Sequence, residues 1–335
     1  MLALRAPSLA GEARIREGIS RFRTLAGRPN LETFFWSIRM AILKTQKRHP
    51  LENGCPPAWA SAWGQDRYGV WVEFRVGQAA QRMRWIMPGR FRMGSPDDDG
   101  ESFDREKPAH EVVISRGYWL FDTPCCQDMW EAVLGTEANQ SHFRGARRPV
   151  ENVSWDEAVR FTEKLNELIR GLGIRLPREA EWEYACRAGI LESRYGALDE
   201  AAWYDKNSGN ESHDVGRKLP NGWGLYDMLG NVWEWCLDGT RDYSTDHITD
   251  PDGGRSAGRV IRGGSWAHPA RSTRAAFRTW RQSDVRDSHL GFRCLSSGME
   301  EQKEQIEQGE SEAERALRAR EIQNDRGRPA PSRMK

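Results

Sequence analysis

Apolar positions follow three patterns along the chain. Over residues 31–48, Leu31, Phe34, Phe35, Ile38 and Ile42 recur at helical spacing before a basic turn, which predicts an amphipathic helix. Pro50, Gly54, Pro56 and Pro57 then mark a linker. Alternating apolar residues over 68–77 and 81–89 predict a β-hairpin leading into the main domain. Helical spacing returns at about 126–134, closed by Gly135, at about 155–170, and at about 178–188, which is preceded by Pro177 and closed by Gly189. The second of these starts with Ser154 three residues before Glu157, a capping box that satisfies two orphan backbone donors. After residue 190 the chain reads mostly as loop, punctuated by Gly, Asn, Asp and Trp. A loop region this long inside a folded domain is functional, or is held by an ion or a dense side-chain network. The expected organisation is a polar N-terminal segment (1–58), one domain including the hairpin (59–296), and a charged tail (297–335) that is disordered or helical without burial.

Composition narrows the function. Fifteen Trp and 32 Gly suit a loop-rich fold pinned by large aromatics. Lys plus Arg is 50 and Asp plus Glu is 49, so no strongly electrostatic grip on nucleic acid is expected. No apolar stretch approaches the roughly 18–20 residues of a membrane span, and residues 1–18 lack a continuous apolar signal region. Without a signal region, six cysteines in a chain this long are expected to be reduced thiols in a cytoplasmic protein, and no C-x-x-C occurs among them. Of the adjacent pair, Cys125 reads as a buried core residue and Cys126 as a weak helix N-cap, against the alternative of a soft-metal or redox pair. The N-terminal helix and the charged tail are the expected contacts for a partner protein.

Eight blocks stand in order along residues 88–295: PGRFRMGSP (88–96), EKPAHEVVIS (106–115), GYWLFDTPCCQDMWEAVLG (117–135), RPVENVSWDEAVRF (148–161), RLPREAEWEYACRAG (175–189), PNGWGLYDMLGNVWEWC (220–236), RVIRGGSW (259–266) and LGFRC (290–294). This series resembles the formylglycine-generating-enzyme (sulfatase-modifying factor) family. The resemblance implies an irregular, loop-rich α+β fold, a variant of the C-type lectin. Within the blocks, Gly263 and Gly264 permit positive φ or close backbone approach, and Trp266 supplies an anchor. The planar forks of Arg262 and Arg293 are expected to tie up backbone carbonyls and carboxylates.

The resemblance also says what chemistry to look for. Aerobic enzymes of the family hold copper(I) on a cysteine pair just after the GGS-aromatic block, but residues 263–278 contain no cysteine. The nonheme-iron branch carries iron on an H-x-x-x-H-x-E helix, and the seven histidines here are scattered singly. Neither copper nor iron is therefore expected, and no catalytic residue is assigned. Carried across from the family's calcium loop, the side chains of Asp227 and Glu234 and the carbonyls of Gly230 and Val232 form a candidate Ca²⁺ site of hard oxygen donors.

Between Trp266 and Leu290, a regular skeleton of arginines and small residues alternates with chemically unrelated ones. This resembles the variable region of diversity-generating-retroelement target proteins, which exchange surface residues on a fixed scaffold of this fold; an ordinary, non-diversified member of the family is the alternative. The candidate ligand-binding residues are Ala267, His268, Ser272, Phe277, Thr279, Trp280, Asp287, Ser288 and His289. His268, Phe277, Trp280 and His289 are expected to share an exposed face, with Arg274 and Arg278 turned toward the scaffold. The expected function is non-catalytic binding of a protein or other macromolecular ligand. The alternatives are a metal-dependent oxidoreductase with displaced ligands and a regulatory subunit of a multi-protein bacterial system.

Overall fold

Strand β2 (Gly69–Val76) buries Val70, Val72 and Phe74 and leaves Trp71, Glu73 and Arg75 more exposed, the alternation that the sequence predicts for one buried face. It pairs antiparallel with β1 (Ala62–Asp66) and β3 (Ala79–Ile86). In turn β3 pairs with β6 (Tyr118–Phe121), so the N-terminal hairpin shares a sheet with the rest of the domain. The six-stranded sheet is completed by β13 (Leu295–Ser296) and β7 (Ile174–Arg175), in the order β1-β2-β3-β6-β13-β7. This computed structural model describes residues 51, 56–254, 256 and 258–297, and the elements named here lie in the unit that begins at Pro57. The helix expected over 31–48 and the charged tail from 299 lie outside the described residues.

The three long helices form where the sequence predicts them. In α1 (Gln127–Leu134), Trp130 stacks on Phe161 with ring centroids 5.4 Å apart. The N-cap of α1 is Cys126, whose side chain makes no capping bond. Phe161 belongs to α2 (Trp155–Leu168), which buries Ala158, Phe161, Thr162 and Leu165 on one stripe. Its capping box is complete: Glu157 N donates to Ser154 Oγ at 3.2 Å, and Ser154 N donates to the Glu157 carboxylate at 2.9 Å. Every residue of α3 (Glu179–Arg187) is buried, including three glutamates and Arg187. Such a helix survives only if each charge is paired. Arg278, Arg175 and Arg262 reach in from other elements to pair with Glu179, Glu181 and Glu183 respectively. A short α4 (Leu198–Ala201) comes next.

The region after 190 departs from the loop reading. It contributes β8 (Trp233–Gly239), β10 (Gly258–Arg262), β11 (Arg278–Gln282) and β12 (Leu290–Gly291), which form a four-stranded sheet in the order β11-β10-β8-β12. The sequence hides β8 because Trp233, Glu234, Trp235 and Cys236 are all buried, so neither face gives a polar alternation. Strands β4 (Gly89–Met93), β5 (His110–Ile114) and β9 (Ile248–Thr249) form a three-stranded sheet in that order. The irregular connection before β8 needs glycine at one point. Gly230 has φ +79°, and a Cβ there would sit 2.1 Å from the Trp203 carbonyl oxygen. Trp182, Leu225, Met228, Leu229 and Val260 belong to the main core.

Candidate ligand-binding face

Four arginines hold the segment from β10 to β13, and all are buried. Arg262 donates to the carbonyls of Ala276 (2.8 Å) and Phe277 (2.6 Å) and to the Glu183 carboxylate of α3. Arg274 forms a bidentate pair with Glu106, both contacts at 2.8 Å, and donates to the Glu101 carbonyl at 3.0 Å. Arg278 grips Glu179 of α3 at 2.6 and 2.9 Å and reaches the carbonyls of Arg105 and Arg241. Arg293 grips Glu234 at 2.7 Å through two nitrogens and donates to the carbonyls of Phe121 and Tyr226. Burial alone would lower the guanidinium pKa values of Arg262, Arg278 and Arg293, and the facing carboxylates more than reverse that. The forks thus bind carboxylates and carbonyls of other elements, as expected, and Arg274 and Arg278 face the scaffold.

The residues between them divide. Ala267 and Trp280 are exposed, and His268, Thr279, Asp287, Ser288 and His289 are half-buried. Trp280 leaves 49% of its surface in solvent. Phe277 and Ser272 correct the sequence reading, because both are buried. The Phe277 ring lies 5.4 Å from Phe103 and 5.6 Å from Trp233, with the Arg105 guanidinium 5.0 Å away. Its position is dictated by the two arginines around it: Arg274 and Arg278 both turn inward, and the Phe277 carbonyl is held by Arg262. Ser272 ends a short 3₁₀ turn (Ala270–Ser272) packed against Gly264. A Cβ on Gly264, at φ +79°, would lie 2.9 Å from the Ser272 carbonyl oxygen.

His268 and His289 meet, although 21 positions of sequence separate them, with ring centroids 4.8 Å apart. The Nδ1 of His268 receives Trp233 Nε1–H at 3.2 Å and lies 2.6 Å from Ser265 Oγ. The Nδ1 of His289 lies 2.6 Å from Asp287 Oδ1. Trp266 borders His289 at 6.5 Å between centroids, donates its indole N–H to the Ser288 carbonyl, and packs edge-on with Phe143 at 5.3 Å. Burial, then the neighbouring His289 and Arg281, push the His268 imidazole down to about 4. Burial also lowers His289, against the opposing charge of Asp287. Both rings are therefore neutral near pH 7. Phe143, Trp233 and Ser265 were not singled out from the sequence; no spacing ties residue 143 to residue 266.

Asp227 and Glu234 are both buried. Glu234 accepts Arg293 through both oxygens, and its Oε2 also accepts Trp182 Nε1–H at 2.7 Å. Asp227 accepts Gly216 N–H through Oδ2 at 2.7 Å, while its Oδ1 has no partner. Burial pushes the Asp227 carboxyl up to about 6. Among the described cysteines, Cys125, Cys126, Cys186, Cys236 and Cys294 are all free and buried. Burial pushes the thiols of Cys126 and Cys186 up to about 12 and raises the other three strongly as well, so none of them offers a thiolate at neutral pH.

Residues 72–297 match the sulfatase-modifying factor enzyme 1-like domain family. The chain belongs to this family. It is 33% identical over 227 residues to the formylglycine-generating enzyme of Streptomyces coelicolor, covering 59% of this chain and 70% of that one. It is 32% identical over 209 residues to the mouse (Mus musculus) formylglycine-generating enzyme, covering 56% of this chain and 53% of that one. Among solved structures, Treponema denticola variable protein 1 superposes with a TM-score of 0.61 at 32% identity, covering 68% of this chain and 99% of that one. PvdO from Pseudomonas aeruginosa gives a TM-score of 0.59 at 23% identity, covering 67% of this chain and 97% of that one, and shows the shared fold alone. The irregular α+β architecture expected from the eight sequence blocks is thus the fold of this family, the C-type-lectin-like variant.

Proposed function

We propose that this protein is a non-catalytic binding protein that presents residues 266–290 as a variable-type face to a protein or other macromolecular ligand. The observation that carries this reading is the division of labour within the segment. The buried arginines within and beside it, Arg274, Arg278 and Arg262, spend their hydrogen bonds on Glu106, Glu179, Glu183 and backbone carbonyls. Ala267, His268, Thr279, Trp280, Asp287, Ser288 and His289 retain exposed surface. A face built this way changes its chemistry at little cost in stability, and an exposed Trp is a favoured interface anchor. The likeness to a variable protein supports the reading. So does the chemistry: residues 263–278 lack cysteine, and the described thiols are buried, with raised pKa values. The test is incubation with a sulfatase-derived cysteine peptide, copper and oxygen. The reading expects unmodified peptide; conversion of the cysteine to an aldehyde would replace it with an enzymatic one.

Calcium at Asp227 is proposed on a separate observation. Asp227 Oδ1 is a buried oxygen without a partner, and Glu234 Oε1 accepts a single bond. Two carboxylate oxygens and the carbonyls of Gly230 and Val232 are donors of the hard type that Ca²⁺ takes. The ion would add positive charge beside a carboxyl that burial pushes up to about 6 even with Arg293 nearby.

A further inference from the structure

The two histidines at the centre of the face are locked in opposite tautomers by groups whose roles are fixed. An indole N–H only donates, so Trp233 Nε1–H, 3.2 Å from His268 Nδ1, requires a lone pair there. The neutral His268 ring therefore carries its proton on Nε2, and Ser265 Oγ, 2.6 Å from the same Nδ1, donates as well. That serine is itself the acceptor for Ala267 N–H at 3.3 Å. A carboxylate only accepts, so the 2.6 Å contact with Asp287 Oδ1 puts the proton of His289 on Nδ1 and leaves a lone pair on its Nε2. Neither Nε2 atom has a hydrogen-bond partner among the described residues. One imidazole edge is thus a free donor and the other a free acceptor, on rings 4.8 Å apart.

This pairing excludes one use of adjacent histidines and favours another. A metal ion needs a lone pair from each ring, and the Nε2 of His268 has none to give. A group carrying an acceptor and a donor side by side satisfies both. The flanking surfaces narrow it further. Trp266 has already spent its N–H on the Ser288 carbonyl, so with Phe143 beside it, it offers flat apolar surface. Depressed imidazole basicity keeps the two rings uncharged near neutral pH, so an ionic group finds no opposite charge on the rings themselves, and the carboxylate of Asp287 is already engaged by His289.

We propose that the His268–His289 pair receives a planar carboxamide of a protein ligand, an asparagine or glutamine side chain or a peptide unit. His268 Nε2–H donates to its carbonyl oxygen, and its N–H donates to His289 Nε2. The proposal rests on residues 266–290 being a binding face and adds the chemistry that the face selects.

The experiment uses the full chain with ¹⁵N-labelled histidine, observed by NMR at pH 7, with acetamide as the probe. The free protein is expected to show His268 protonated at Nε2 and His289 at Nδ1. Acetamide should shift both Nε2 resonances saturably. Methyl acetate, which has the carbonyl without the N–H, should fail to shift His289. Trp233→Phe combined with Ser265→Ala removes both donors to Nδ1 and so the lock, and His268 should then move its proton toward Nδ1 and lose the response; His289→Phe, which leaves that lock intact, should lose it too. A His268 proton found on Nδ1 in the unaltered protein, an absent or non-saturable acetamide response, or stoichiometric Zn²⁺ binding at the two rings overturns the proposal. These results leave the binding-face reading standing, whereas oxidation of a sulfatase cysteine peptide would defeat that reading without altering the tautomers.

Discussion

Arg274 and Glu106, 168 positions apart in sequence, form a bidentate ion pair in which neither side chain reaches solvent. The pair fastens the middle of residues 266–290 to the 3₁₀ turn Asp104–Glu106 before β5. Removing one partner strands the other as a buried charge, which typically costs about 3–5 kcal/mol. Arg274→Ala should therefore lower the denaturant midpoint strongly. Arg274→Lys should rescue little of the loss, because a single ammonium cannot reproduce the planar fork. A midpoint for Arg274→Ala within error of the parent would show that the segment does not depend on this anchor.

Phe277 and Trp280 should behave oppositely although only three positions separate them. Phe277 is packed between Phe103 and Trp233, so Phe277→Ala should cost about 3–5 kcal/mol, as losses of core aromatics do. Trp280 is half in solvent, so Trp280→Ala should change stability far less and act on ligand affinity instead. Thermal melting of the two single variants decides this. Equal losses would mean that Trp280 is a core residue.

Calcium is best tested at Asp227. Glu234→Ala is uninformative, because it strands buried Arg293 whether or not an ion binds. Asp227→Asn keeps an acceptor for Gly216 N–H and removes the charge. The parent should melt higher with added Ca²⁺ than with chelator, because an ion at 100-fold excess over Kd adds roughly 2.7 kcal/mol of stability. The variant should lose that difference. A parent indifferent to chelator and calcium would refute the ion.

Buried carboxyls set a pH dependence of defined sign. Burial pushes Asp238 up to about 7, although it accepts Glu179 N–H at 2.7 Å. The unfolded chain ionises such a group near 3.9, so between about pH 4 and 7 the folded state binds more protons than the unfolded. Its contribution to stability is present below pH 4 and is lost as pH rises through 7. Glu151, also pushed up to about 7 by burial, acts in the same window. Asp238→Asn should flatten the fall in stability over this range; denaturant titrations at pH 5 and pH 8 measure it, and an unchanged slope contradicts the assignment.

Much of this architecture was legible in the sequence because it is local. Ser154 and Glu157 announce α2 through their own spacing, and β2 and β3 announce themselves by alternation. The central strand β8 was not legible, since burial on both faces removes the periodicity that would reveal Glu234 and Trp235 as strand residues. The inward turn of Arg274 and Arg278 was read correctly from the regular skeleton. Phe277 was misread because it stands in a gap of the arginine-and-alanine skeleton, between Ala276 and Arg278; only the packing of Phe103, which lies 174 positions earlier, shows that the ring is buried. The meeting of His268 with His289 depends on β12 running parallel beside β8, a long-range pairing that no short motif encodes.

On the proposed function, a fixed arginine frame carries an exchangeable face. Two display libraries sorted for protease resistance test it most directly. One randomises Ala267, His268, Thr279, Trp280, Asp287, Ser288 and His289; the other randomises Arg262, Arg274, Arg278 and Arg293. Most members of the first library should remain folded, and nearly all members of the second should be digested. Equal loss of folded members from both libraries would contradict the account.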